Sequence, residues 1–169
     1  MNLNDFFFSY KILIKSQIKK KNFIKALSKL FSFPYKFLLF KIKILLNINK
    51  INVDKIVGLD THNLDKLFVY FNTDKGSEVK IIDKIQKGHN YSSHYEKYFS
   101  KFKNKDVLKI LEIGSLFGAG AASFIKYFEN VKIVSLDINP FNMKYYSKKI
   151  RSIFIDTQSK NIINDLANY

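Results

Sequence analysis

Cysteine is absent from this 169-residue sequence, and acidic residues are scarce, with 14 Asp and Glu against 29 Lys and Arg. The lack of cysteine excludes disulfide bonds, thiolate zinc sites and a cysteine nucleophile, and it fits a reducing compartment. A long uninterrupted apolar run is also lacking. The longest, FPYKFLLFKIKILL, is broken by Lys36, Lys41 and Lys43 and falls short of the ~20 apolar residues that a membrane-spanning helix needs.

The first ten residues, MNLNDFFFSY, contain neither the basic start nor the small-residue cleavage site of a signal peptide. We therefore expect a cytoplasmic protein. A hydrophobic content of 47% and an aromatic content of 16% exclude general disorder. The length allows one ordinary domain with an appendage.

The positive charge is concentrated in the N-terminal third. Twelve lysines stand against two aspartates through Ile56, a net charge of +10, whereas the rest of the chain carries only +5. A basic patch of this kind can meet nucleic acid, anionic lipid or an acidic protein.

Residues 1–50 are predicted to form a basic amphipathic helical extension. Apolar residues recur at helical spacing in KKKNFIKALSKLF, and Pro34 is expected to end that helix. The following stretch, KFLLFKIKILLNI, fits either a second basic helix or a strand. The extension either packs on the main domain or lies on an anionic membrane surface, at the inner face of the membrane. Nucleic acid is the least favoured partner, since no recognised nucleic-acid module is present.

Residues 51–169 are assigned to the second unit, which begins with a helical and loop-rich part through residue 105. There Tyr91, Tyr95, Tyr98 and Phe99 share one helical face, for which core packing is the default explanation, and His62 and His94 are expected at the surface. From Val107 strands alternate with short helices. The predicted strands are KILEI, KIVSLD and SIFID; the predicted helices are GAASFIKYFEN, FNMKYYSKKI and SKNIINDLANY. This alternation predicts an α/β fold with a Rossmann-like parallel sheet.

The glycines after the first strand point to a ligand site. Gly114 lies at the strand–helix turn, Gly118 and Gly120 open the next helix, and Asp137 ends the second strand. A helix N-terminus suits a polar or anionic ligand, and a carboxylate at the next strand end can hold a ribose. The run GAGAAS also fits the dinucleotide fingerprint, but that fingerprint should start where the strand stops. The register that fits is acid-x-Gly-x-x-x-Gly, from Glu112 to Gly118. Glycines that only pack the helix on the strand are the simpler alternative.

The segment LEIGSLFGAGAASFIKYFENVKIVSLDINP resembles the cofactor-binding part of class I S-adenosylmethionine-dependent methyltransferases. The similarity is closer to a subgroup that methylates hydroxyls of sugars, macrolides and related secondary metabolites. In that subgroup a T-D-K-G block and then H-x-Y-x-x-x-Y precede the L-E-I-G strand. Here these blocks are residues 73–76, 89–95 and 111–114. The resemblance spans about residues 65–168.

The resemblance implies S-adenosylmethionine as cofactor, a small hydroxylated molecule as acceptor, and methyl transfer as the reaction. It implies that Glu112, Gly114 and Gly118 line the methionine side and that Asp137 holds the ribose. Further residues implied at the site are Asp74, Lys75, His89 and Tyr91, which close it, and Asp156, which contacts the adenine side. The chain departs from the family at Leu116, where a glycine is commoner, and at Asp156, where the acid of the third strand end is shifted by one position. Similar enzymes bind Mg²⁺ through acids after a fourth strand, and no such stretch follows Asp156 here.

The family sheet has seven strands, with the fourth beside the first, and only three are found here. We therefore expect a truncated form whose first strand is an open, apolar edge. A partner chain or the N-terminal 50 residues covering that edge is the competing expectation. Two other functions stay open, a nicotinamide-nucleotide-binding oxidoreductase and a non-catalytic, membrane-associated fragment. Binding of a nicotinamide cofactor would indicate the first, and binding of no cofactor the second.

Overall fold

The computed structural model describes residues 3–19, 21–46, 50–104, 107–139 and 142–155. Within these ranges the protein is mixed α/β with parallel strand pairs. The helices are α1 (Leu3–Lys19), α2 (Phe23–Leu46), α3 (Leu64–Tyr70), α4 (Ser92–Phe99) and α5 (Ala119–Tyr127). The strands are β1 (Ile51–Asn52), β2 (Glu78–Ile81), β3 (Lys84–Lys87), β4 (Leu108–Ile113), β5 (Val131–Asp137), β6 (Tyr145–Tyr146) and β7 (Ile150–Phe154).

The central sheet has three parallel strands in the order β4-β5-β7. These are the three strands predicted from the sequence, and α5 follows β4 as predicted. In the described part of the chain β4 is the end of the sheet, and its Leu111 and Ile113 are 56% and 57% exposed. Among the described residues, no strand pairs with the outer side of β4.

The main core lies between this sheet and helices α3, α4 and α5. Phe68 of α3 makes edge-on ring contacts with Phe124 of α5 and Tyr95 of α4. Tyr95 and Phe99 are partly buried against this core, as their stripe predicted. Tyr91 and Tyr98 of the same stripe are about half exposed, so core packing was wrong for those two residues.

Helix α1 covers β7, the opposite end of the sheet from β4. Its Ile12 packs with Leu136 of β5 and with Ile153 and Ile155 at the end of β7. The backbone N–H of Phe154 donates to Ser9 Oγ at 3.1 Å, so α1 satisfies a polar group of β7 that the sheet leaves unpaired. The extension therefore packs on the main domain through α1, and the described N-terminal helices do not cover β4.

The prediction that Pro34 ends a helix was wrong, because α2 runs through it to Leu46. Proline removes the hydrogen bond to the carbonyl of Leu30, but both residues are exposed and water can reach that carbonyl. On the opposite side Phe33, Phe37 and Phe40 contact Phe6 of α1. This packing stabilises the helix across the proline. The stretch KFLLFKIKILL, for which the sequence allowed a helix or a strand, is therefore helical.

The predicted helix FNMKYYSKKI was wrong over its described part, residues 142–150. No helix forms there: β6 pairs in parallel with β1, and residues 148–149 form a turn. Tyr145 is buried, and its hydroxyl donates to the carbonyl of Phe71 at 3.1 Å. Asp54 accepts from Ser147 Oγ at 2.6 Å and from the N–H of Lys148 at 3.0 Å. Contacts with residues 74–94 positions away along the chain therefore override the local helical pattern.

A β-hairpin within residues 51–105 was missed by the sequence analysis. Strands β2 and β3 pair antiparallel through a two-residue turn, Ile82 and Asp83, both with positive φ. Such turns usually contain Asn or Gly, and this one has neither. The predicted last helix, SKNIINDLANY, lies outside the described residues.

Candidate functional site

The candidate site lies at the carboxyl ends of β4 and β5, where α5 begins. Gly114 and Gly118 both have φ of +77°, a conformation that side chains with a Cβ rarely adopt. A Cβ on Gly118 would also lie 2.7 Å from Met143 Cε. Gly118 is the N-cap of α5, so the first amides of this helix point towards the turn.

Glu112 is the chemically distinctive residue of this region. Its side chain is 8% exposed, and its Oε1 is buried without a hydrogen-bond partner among the described residues. The same oxygen lies against the start of α5, because a Cβ built on Gly120 would collide with it. Burial raises the pKa of Glu112, and the charge of Lys75 together with hydrogen bonds from Ser115, the N–H of Ala121 and Ser135 opposes this only in part. A buried carboxylate of this kind favours a cationic partner.

Lys75 brings the T-D-K-G block to this carboxylate. Its Nζ lies 3.7 Å from Glu112 Oε1 and 4.0 Å from Asp74 Oδ1, and its side chain is mostly buried. The Nζ–Oε1 distance is that of an ion pair and exceeds a normal hydrogen bond. Lys75 therefore compensates Glu112 through its charge and leaves the hydrogen-bonding capacity of Oε1 unused.

Backbone hydrogen bonds join the T-D-K-G block to the H-x-Y block. The N–H groups of His89, Asn90 and Tyr91 donate to the carbonyls of Asp74, Gly76 and Lys75 at 2.7–2.9 Å. The β2–β3 hairpin is the excursion between these two blocks. Two motifs separated by more than ten residues therefore form one local unit, whose position relative to Glu112 is set by Lys75.

His89 and Tyr91 form the exposed rim of this unit. Their rings stack with centroids 5.2 Å apart, and His89 Nε2 lies 3.7 Å from Asp74 Oδ2. His62 and His94 are exposed, as expected.

Asp137 follows β5 and faces the glycine turn. Its Oδ2 accepts from the N–H of Leu116 at 2.6 Å, and its Oδ1 accepts from the N–H of Asn139 at 2.9 Å. Leu116 has φ of +45°, a conformation that glycine adopts more readily. This is the position at which the methyltransferases that the sequence resembles more often have glycine. Each carboxylate oxygen has a further lone pair, so Asp137 can still accept from a ligand hydroxyl. Asp156, the other predicted acid, lies outside the described residues.

The structure thus brings Glu112, Lys75, Asp74, His89 and Tyr91 into one chain of contacts, and it places Gly114, Gly118 and Asp137 around the neighbouring turn.

One residue of the site, Ser135, was missed by the sequence analysis. It is buried beside Glu112, with Oγ–Oε2 at 3.5 Å, and hydrogen bonds to Ser115. A lone serine within the apolar strand KIVSLD was the signal for it. Gly120, which the sequence analysis placed at the opening of the helix, leaves the space that Glu112 fills.

Comparison of the chain with protein-family models, curated proteins and solved structures gave no match. Among the described residues, no group of three or more His, Asp or Glu could hold a metal ion. Every helix in the described ranges is too short or too polar to cross a membrane.

Proposed function

We propose that this chain binds S-adenosylmethionine in a Rossmann-like methyltransferase fold and transfers its methyl group to a hydroxyl of a small molecule. The observation that carries the proposal is Glu112, a buried carboxylate with one unpartnered oxygen at the start of α5. Lys75 of the T-D-K-G block reaches Glu112, and the H-x-Y block is hydrogen-bonded to the T-D-K-G block.

The chemistry of these residues fits the cofactor. S-adenosylmethionine has an ammonium and a sulfonium at its methionine end and two ribose hydroxyls near its centre. Glu112 offers a buried negative charge to the cationic end, and Asp137 offers lone pairs to a diol at the neighbouring strand end. A Cβ on Gly114 would meet nothing within 4 Å, so there is open space in front of the turn.

The bound cofactor would supply an electrophilic methyl group on sulfur. The residues of this chain would orient it, with Glu112 and Lys75 fixing the local charge and the joined T-D-K-G and H-x-Y blocks forming one wall. The acceptor hydroxyl must lose its proton, and an imidazole can accept one near neutral pH. We assign that role to His89, which lies on the rim beside Asp74.

The position of the glycines favours this cofactor over a nicotinamide dinucleotide. Strand β4 ends at Ile113, whereas GAGAAS begins at Gly118 and runs into α5. A dinucleotide fingerprint needs its first glycine directly after the strand. Here Gly114 follows the strand, with Glu112 two residues before it.

Isothermal titration calorimetry on the full chain tests the proposal. We expect S-adenosylmethionine to bind and Glu112→Gln to weaken it by ~10-fold or more, since a hydrogen bond to a charged group contributes about 1.5–3 kcal/mol. Asp137→Asn, which keeps one carbonyl oxygen, should weaken binding less.

Asp83→Asn is the matched control, because this exposed carboxylate lies in the hairpin turn away from the site; its affinity should equal that of the native chain. Tighter binding of NAD, or an unchanged affinity for Glu112→Gln, would contradict the proposal.

A further inference from the structure

Helix α2 has two apolar faces, and only one of them is covered. Ala26, Phe33, Phe37 and Phe40 are buried or partly buried on the side facing α1. A second stripe points outward, with large apolar side chains that are 53–82% exposed: Phe23, Ile24, Leu27, Leu30, Phe31, Tyr35 and Leu38.

This outward stripe recurs every three to four residues over about four turns of helix, so its members form one continuous strip. Single exposed apolar residues are ordinary, but a contiguous strip of this size marks an interaction surface. We call it the outer face of α2.

The charged residues of the two N-terminal helices are almost all positive. Lysines 11, 15, 19, 21, 25, 29, 36 and 41 lie on the two helices and their turn, and Asp5 is the sole acid of residues 1–53. Asp5 is buried and pairs with Arg151 Nε at 2.7 Å, so it does not offset the lysines at the surface.

Burial lowers the pKa of Lys36, and the nearby charge of Lys29 lowers it further. Anions near Lys29 and Lys36 would relieve that repulsion.

We propose that the outer face of α2 inserts into the interface of an anionic lipid bilayer, with the lysines of the α1–α2 hairpin held at the headgroups. An apolar strip beside a lysine-rich surface is the pattern of helices that lie in a membrane plane. A second copy of the chain is disfavoured as occupant, because pairing two such faces would bring two lysine-rich hairpins together. The inference is independent of the proposed methyl transfer.

The absence of tryptophan allows a clean fluorescence test on the full chain. Phe31→Trp places a single reporter on the outer face. Ile82→Trp places one on the hairpin turn, at a side chain that is 91% exposed. With phosphatidylcholine vesicles containing one quarter phosphatidylglycerol, the emission of Phe31→Trp should shift to the blue and that of Ile82→Trp should not. Equal shifts, or no shift at residue 31, would overturn the proposal.

Co-sedimentation with the same vesicles separates the apolar and the charged contributions. The double variant Ile24→Ser and Phe31→Ser should abolish binding. The control is the double variant Val57→Ser and Ile82→Ser, which should not change binding, because these apolar side chains lie outside α2 although they are even more exposed. Lys25→Gln with Lys29→Gln should lower the partition coefficient by ~10-fold or more. Circular dichroism checks that each variant is folded.

Two further results would overturn the proposal. The first is equal binding to vesicles of pure phosphatidylcholine. The second is a native chain that does not bind vesicles but self-associates, with the double variant Ile24→Ser and Phe31→Ser abolishing the self-association. That result would assign the outer face to a second copy.

Discussion

At the scale of single residues, Glu112 is a charge that is buried at a cost to stability. A carboxylate in the middle of a strand is an ordinary surface residue when it faces water. Here Glu112 faces the start of α5 and is buried beside Ser135, so burial dominates its pKa. Under the proposed function, Glu112 keeps this charge for a cationic ligand at a cost to the free energy of folding.

The first residue-scale prediction concerns the pH dependence of that cost. Because the pKa of Glu112 is raised in the folded protein, the folded state holds a proton that the unfolded state has lost, and stability falls as pH rises through this range. We therefore expect Glu112→Gln to exceed the native chain in free energy of unfolding, increasingly so as the pH rises above about 4.5, the ordinary value for this group.

Urea denaturation at a series of pH values measures this difference. The control is Asp83→Asn, whose carboxylate is exposed, so that its removal relieves no burial of charge. A constant difference for Glu112→Gln would contradict the burial argument. With the calorimetry above, the same variant should be more stable and bind more weakly, so weak binding could not be attributed to unfolding.

At the scale of elements, the β2–β3 hairpin is well paired but has an unfavourable turn. Four residue pairs form its ladder, and Asn72 exchanges hydrogen bonds of 2.6 and 2.9 Å with the backbone of Lys80. The turn residue Ile82 is β-branched and has φ of +46°. The ladder and the Asn72 anchor therefore hold a turn that the local sequence disfavours.

Replacing Ile82 by Asn should stabilise this hairpin by about 1 kcal/mol, since Asn tolerates positive φ and Ile82 makes little contact at 91% exposure. The change keeps the ion pair between Lys80 and Asp83 at 3.0 Å. Slower hydrogen exchange of the β2 and β3 amides would measure the gain.

Val57→Asn is its control, because Val57 is equally exposed and β-branched but has no positive φ. It should leave exchange of the hairpin unchanged. Exchange that is as fast in Ile82→Asn as in the native chain would argue against strain in the turn.

At the scale of the whole molecule, α1 determines how the N-terminal helices join the sheet. Ser9 is fully buried and makes two hydrogen bonds, donating to the carbonyl of Asp5 at 2.6 Å and accepting from the N–H of Phe154 at 3.1 Å. Aromatic rings from α1, α2 and the end of β7 pack around Phe6. The two helices and the sheet should therefore unfold together.

Ser9→Ala should lower the free energy of unfolding by about 1–3 kcal/mol, because it leaves the buried N–H of Phe154 without its acceptor. Ser28→Ala, an exposed serine on α2, should change it by less than about 0.5 kcal/mol. Urea denaturation measures both variants. Equal stabilities would mean that α1 does not depend on β7 for its position.

The sequence by itself determined the local features of this protein. Strands β4, β5 and β7 follow from short apolar runs, and α5 follows from its helical spacing. The turn at Gly114 and Gly118 was predicted because glycine, which has no Cβ, adopts positive φ without strain. Such features depend on neighbours a few residues apart, so a linear pattern is enough to predict them.

Only the tertiary structure decided the rest, because it depends on contacts between distant parts of the chain. Phe71 and Asp54 hold residues 145–148 in a non-helical conformation against their helical pattern. Phe6 keeps α2 helical across Pro34, and Ser9 fixes α1 to β7 and not to the open edge of β4. The burial that raises the pKa of Glu112 arises in the same way, from the packing of α5 and the approach of Lys75 from 37 residues away.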